Sequence, residues 1–125
     1  KFLILICDCW VAMRIDDYRF GRIVVSGREY TNDVIIFPDH VESDWWRKRG
    51  HELCVEDLSS VLDFRPRMLI VGTGNYGRMK VLSETTSILK DVGCELIERK
   101  TKEACELYNA RRNGDGVVAC LHLTC

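Results

Sequence analysis

The run Val117-Val118-Ala119-Cys120-Leu121-His122-Leu123 constrains the fold more than any other stretch. Apolar side chains occupy nearly every position, and successive positions on a strand point to opposite faces, so both faces need cover. Such a strand belongs at the centre of a sheet. Met68-Leu69-Ile70-Val71 is a second apolar run of this kind, and Glu95-Leu96-Ile97-Glu98 reads as the strand between them. Two helical patterns separate the three. Ser83 is placed to cap the first, which carries Thr85, Ile88, Leu89 and Val92 on one face and stops at Gly93. Thr101 is placed to cap the second, with Ala104, Leu107, Tyr108 and Arg111 on one stripe and Asn113-Gly114 beyond its end. This is a β-α-β-α-β order, and right-handed crossovers make its strands largely parallel.

The first half reads differently. Arg22-Ile23-Val24-Val25 and Val34-Ile35-Ile36-Phe37 are β-branched runs beside the turn residues Ser26-Gly27 and Thr31-Asn32-Asp33, which predicts a meander of two or three strands. Pro38-Asp39-His40 breaks it, and Glu42 to Arg49 reads as an edge strand or loop carrying Trp45 and Trp46. Val55, Leu58, Val61 and Leu62 follow helical spacing, with Glu56 and Asp57 in the first turn and Pro66 closing the helix. The fold class is therefore α/β: one domain, a mixed central sheet with packed helices, and additional antiparallel strands.

At 125 residues the chain can bury one continuous core. Its 18 basic and 19 acidic residues give a net charge of -1 and a pI of about 6.3, which disfavours nucleic acid and anionic membrane as general partners. The seven cysteines, an odd number spread through core segments without C-x-x-C spacing, read as free thiols in a reducing compartment, with cytoplasm as the expected location and no metal site. Residues 1–12 are almost wholly apolar but interrupted by Asp8, too short for a membrane span, and are expected to be an extension ahead of a domain over residues 13–125; an extra strand is the alternative.

The chemistry centres on Gly72-Thr73-Gly74-Asn75-Tyr76-Gly77, a G-x-G-x-x-G loop after a strand. Glycines let backbone approach closely and leave amide N–H groups free to point at a phosphate or carboxylate. Glu98, 21 residues after Gly77, stands where a ribose-binding acid of a dinucleotide site would be, yet the next helix pattern begins only at Ser83 and half of a dinucleotide fold is missing. No cofactor is expected. Trp45-Trp46-Arg47-Lys48-Arg49-Gly50-His51 sets two aromatics beside three cations and an imidazole, able to grip an anion or to serve as a solvated edge. Arg65, Arg67, Arg78 and Lys80 form a second basic group around the loop. His122 reads as a core histidine, and Cys125 is a poor candidate nucleophile.

From Met13 onward the chain resembles the Mth-type domain family. The resemblance rests on Tyr18-Arg19-Phe20-Gly21-Arg22-Ile23, Gly27-Arg28-Glu29-Tyr30, Asp33-Val34-Ile35-Ile36, Gly50-His51, Leu69-Ile70-Val71-Gly72-Thr73-Gly74, Thr101-Lys102-Glu103-Ala104 and His122-Leu123-Thr124-Cys125. It covers most of the chain in order, and the ending looks most like archaeal members. The family includes an adipogenesis-associated protein and a mitochondrial complex I assembly factor. The resemblance implies a compact α/β fold with a mixed sheet and a small extra β layer, and it implies no established reaction. The expectation is a non-catalytic binding or assembly-type domain for a protein partner or a small anionic ligand. Its site residues are Arg47, His51, Gly72, Thr73, Gly74 and Tyr76; the alternative is an oxidoreductase-like enzyme for a small anion or nucleotide built on the same loop.

Overall fold

The computed structural model describes residues 12–125, so the expected extension over residues 1–12 lies outside the described residues apart from Ala12. Strands β1 (Ile15–Arg19), β2 (Arg22–Val25) and β3 (Arg28–Tyr30) form an antiparallel meander of their own, whereas the run Val34–Ile36, expected within that meander, joins the main sheet instead. The β2–β3 turn places both Ser26 and Gly27 at positive φ, the two-residue hairpin geometry whose twist matches the strands it joins. There follow β4 (Val34–Ile36), β5 (Val41–Glu42), β6 (Glu52–Leu53), a 3-10 turn (Val55–Leu58), helix α1 (Ser59–Phe64), β7 (Met68–Gly72), β8 (Lys80–Val81), α2 (Ser83–Asp91), β9 (Glu95–Arg99), α3 (Thr101–Arg111) and β10 (Val117–Leu121).

The main sheet has the order β5-β4-β10-β7-β9. Strands β7, β9 and β10 run parallel, and β4 pairs antiparallel with β10. As the unbroken apolar pattern requires, β10 is central and buried along its whole length. Alternation then divides the core in two. Ile70, Val117, Ala119 and Leu121 face α3 (Ala104, Cys105, Tyr108) and the meander (Ile15, Ile23, Val25). Leu69, Val71, Val118 and Cys120 face Leu58, Val61, Leu89, Trp45 and Met79 on the other side. Each large aliphatic side chain so buried contributes roughly 1.5 to 3 kcal/mol of transfer free energy.

Local departures from the expected helices have identifiable causes. The pattern over Val55–Phe64 begins as a tighter 3-10 turn, where the Asp57 carboxylate accepts the amides of Cys54 and Lys48 at 2.9 Å each. Helix α1 ends at Arg65, which turns left-handed at φ 59 because the following proline disfavours the helical conformation. Neither expected hydroxyl cap forms: Ser83 and Thr101 are the first residues of α2 and α3, preceded by Leu82 and Lys100 with no side-chain cap bond. The Thr101 hydroxyl has another use, described below.

Candidate functional site

The glycine loop leaves β7 and is held down on every side. A Cβ on Gly72 would lie 2.8 Å from Leu121 Cδ2 and 3.0 Å from Thr101 Oγ1, so this glycine lets α3 approach the sheet. Gly74 has φ +105, and a Cβ there would overlap the carbonyl of Cys125 and stand 2.9 Å from His122 Cδ2. Most of the amides expected to point outward are engaged within the chain. Thr73 N–H donates to the Arg99 carbonyl at 2.9 Å, Gly74 N–H to the Thr101 hydroxyl at 2.8 Å, and Asn75 N–H to the Thr124 carbonyl at 2.6 Å. Gly77 N–H and Arg78 N–H donate to Gly74 and Cys125 carbonyls at 3.2 Å each. The loop also continues into β8 rather than into a helix whose N-terminus would face an anion, and its missing side chains make room for the chain itself. Thr101 Oγ1, besides accepting from Gly74, donates to the His122 carbonyl at 2.6 Å and so ties the loop to the extension of β10.

Behind the loop is a buried charge cluster. The register that sets Val34 opposite Leu121 brings Asp33 beside His122. Asp33 Oδ2 lies 2.7 Å from His122 Nδ1, and Oδ1 accepts the Leu123 amide at 2.8 Å. Arg47 Nη1 stands 2.7 Å from the same Oδ2, an ion pair at strong-contact distance though not aligned as a hydrogen bond. Burial opposes the charge on Asp33, yet the bonds from His122 and the Leu123 amide and the nearby Arg47 outweigh it, holding the carboxyl below its ordinary 3.8. A carboxylate only accepts, so the proton of the 2.7 Å contact is on His122 Nδ1. The 3.0 Å approach of Arg47 Nη2 to that nitrogen is then a contact of two donors, and Nη2 donates instead to the Gly50 carbonyl at 3.0 Å.

Arg47 therefore corrects the expectation of an open cation. Its side chain is only 5% exposed, lies over the Trp45 ring with Cζ 4.8 Å from the centroid, and serves as the counter-ion of Asp33. His122 Nε2 has no hydrogen-bond partner among the described residues and is buried. A carboxylate-oriented imidazole is the arrangement of a general base, and the same contacts clamp together the three chain segments of Asp33, Arg47 and His122. His51 is brought beside it, its ring 5.8 Å from that of His122 and exposed, with its carbonyl accepting Lys80 N–H at 2.9 Å.

Of the expected site residues, Gly72, Thr73, Gly74 and Arg47 are thus buried in the scaffold, with Thr73 Oγ1 donating to the Arg99 carbonyl at 3.1 Å. His51 and Tyr76 reach the surface. Asp33 and Thr101, which complete the clamp, read in the sequence only as a turn residue and a helix cap. A signal for Asp33 did exist: a histidine inside an apolar strand calls for a polar partner. Trp45 also differs from expectation. It is buried with its indole N–H donating to the Asp57 carbonyl at 3.0 Å, leaving Trp46 alone exposed.

The prominent aromatic surface is instead Phe20 with Tyr76, 54% and 63% exposed, their ring centroids 6.3 Å apart. Both turns are fastened to the same C-terminal segment, Gly21 N–H to the Leu123 carbonyl at 2.9 Å and Asn75 N–H to the Thr124 carbonyl. Next to Tyr76 is an open depression bordered by Thr73, Lys80, Glu98, Arg99, Lys100 and Glu103. Among the described residues no cluster of His, Cys, Asp and Glu is placed to hold a metal, and no helix is long and apolar enough to cross a membrane. Burial pushes the thiols of Cys94 and Cys105 up to about 11 and about 12, and raises Cys120 as well, so these cysteines are inert packing groups.

A family model described as a protein of unknown function (DUF498/DUF598) matches residues 15–122. The fold is similar to that of the conserved hypothetical protein PH1505 from Pyrococcus horikoshii OT3, with a TM-score of 0.78 at 31% identity over 90% of this chain and 99% of that one. It is also similar to MT938, with a TM-score of 0.73 at 26% identity over 91% and 100% of the two chains. A Mth938-like domain protein from Bordetella pertussis shares the fold with a TM-score of 0.70 at 20% identity over 88% and 85%.

Proposed function

The chain belongs to the DUF498/DUF598 family of proteins of unknown function, the Mth-type domains, and on that premise we propose a non-catalytic binding or assembly-type role in which the glycine-loop face contacts a protein partner. The observation that carries this reading is the exposed pair Phe20 and Tyr76. Two large aromatic rings meet in solvent because two separate turns are hydrogen-bonded to one C-terminal segment, a rigid presentation of apolar surface. The spent loop amides count against a phosphate or nucleotide as the occupant, and with them against the oxidoreductase-like alternative. Free thiols at Cys54, Cys94, Cys105, Cys120 and Cys125 favour a reducing, cytoplasmic setting for this role.

The test compares the full chain with its Phe20→Ser/Tyr76→Ser variant in affinity capture from the source organism's extract, quantified by mass spectrometry. Both rings are exposed, so the variant is expected to melt within a few degrees of the parent. Proteins retained by the parent and lost by the variant support the reading. Identical recovery by both overturns it.

A further inference from the structure

The partner's chemistry is legible in the charges that surround Tyr76. Its ring belongs at once to the aromatic pair with Phe20 and to the depression bordered by Lys80, Arg99 and Lys100. The Lys100 stem lies over Gly77, its Cγ 3.5 Å from where a Cβ would be. Lys80, Arg99 and Lys100 have no carboxylate within ion-pair distance among the described residues, although Arg99 Nη1 donates to the Glu98 carbonyl at 2.7 Å. Around the depression Lys80, Arg99 and Lys100 stand against Glu98 and Glu103, an excess of one positive charge on a small face of a chain whose net charge is -1. Cations without a carboxylate partner beside exposed apolar rings form a surface complementary to carboxylates flanking an apolar anchor.

We infer that the segment bound at this face is an acidic peptide stretch whose aromatic or aliphatic anchor packs on Phe20 and Tyr76 while its carboxylates meet Lys80, Arg99 and Lys100. The inference rests on the reading of this face as a protein contact. Glu98 and Glu103 favour a peptide over nucleic acid: a continuous phosphate backbone crossing the depression would meet both, whereas spaced carboxylates avoid them.

The experiment is selection of a phage-displayed random peptide library on the immobilised full chain, with counter-selection on the Phe20→Ser/Tyr76→Ser variant. Enriched peptides are then measured by fluorescence anisotropy. Asp and Glu are expected beside Trp, Phe or Leu, with affinity falling about fivefold for Lys80→Glu/Lys100→Glu, the size of loss that two exposed ion pairs produce. Affinity should also fall with added salt, and replacing the peptide's acids by Lys should recover binding to the charge-reversed variant. Peptides enriched for anchors but not acids, unaffected by charge reversal, overturn the acidic inference and leave the aromatic face standing. Failure to enrich any peptide on the parent over the counter-selected variant removes both. Binding of oligothymidine with the same dependence on Lys80 and Lys100 would replace the peptide by a nucleic acid.

Discussion

Asp33 Oδ2 and His122 Nδ1 lie 2.7 Å apart across 89 residues of chain, and their bond joins the loop before β4 to the extension of β10. Arg47 closes on the same oxygen from a third segment, and the Asp33 carbonyl accepts the Trp45 amide at 2.9 Å. One residue thus fixes how the basic segment, the central strand and the glycine loop meet.

Asp33→Ala is expected to cost about 3 to 5 kcal/mol, because it leaves a buried guanidinium without its counter-charge and an imidazole N–H without its acceptor. Urea denaturation of the parent and variant measures it. A loss below about 1 kcal/mol would show that the cluster is solvated and not a clamp.

The same carboxylate sets a pH dependence. Its folded pKa lies below the ordinary 3.8, so below that value the unfolded chain takes up the proton more readily than the folded one. The stabilisation is therefore fully present above the ordinary carboxylate range and is lost as pH falls through the lowered folded value. Asp16 and Asp39 are lowered too, which makes comparison with Asp33→Asn the informative experiment. The stability gap between parent and Asp33→Asn should narrow as pH falls below about 4; a gap unchanged by acid would assign the effect elsewhere.

Gly74→Ala should destabilise by about 2 to 4 kcal/mol, since φ +105 is strained for any L side chain and the added carbon overlaps the Cys125 carbonyl. Gly50→Ala is the control: it has open space around it and no positive φ, so a change within about 0.5 kcal/mol is expected. Equal effects in thermal melts would remove the packing account of the loop.

Thr101→Val keeps the shape but deletes the hydroxyl shared by the Gly74 amide and the His122 carbonyl. Leaving those buried groups unpaired is expected to cost about 1 to 3 kcal/mol, while Thr101→Ser retains most of the stability. Faster amide exchange at Gly74 in the valine variant locates the loss.

Much of this molecule was legible in its sequence because periodicity reports which faces a segment must bury. The unbroken apolar run of β10 required cover on both sides, and the alternating use of Leu69, Ile70 and Val71 follows from the pleat. The glycines at 72 and 74 announced a place where a Cβ cannot fit, but a missing Cβ serves an approaching ligand and an approaching chain equally well. Only the tertiary structure decided between them, by packing Thr101, Leu121 and the Cys125 carbonyl into that space. Charge was misleading for the same reason: Arg47 stands in a run of cations, yet its environment depends on Asp33, which reaches it through the antiparallel pairing of β4 with β10. Phe20 and Tyr76 likewise meet only because distant turns share one C-terminal segment. Local pattern determines layers, whereas contacts between remote positions depend on strand order and register, which arise when the whole core closes at once.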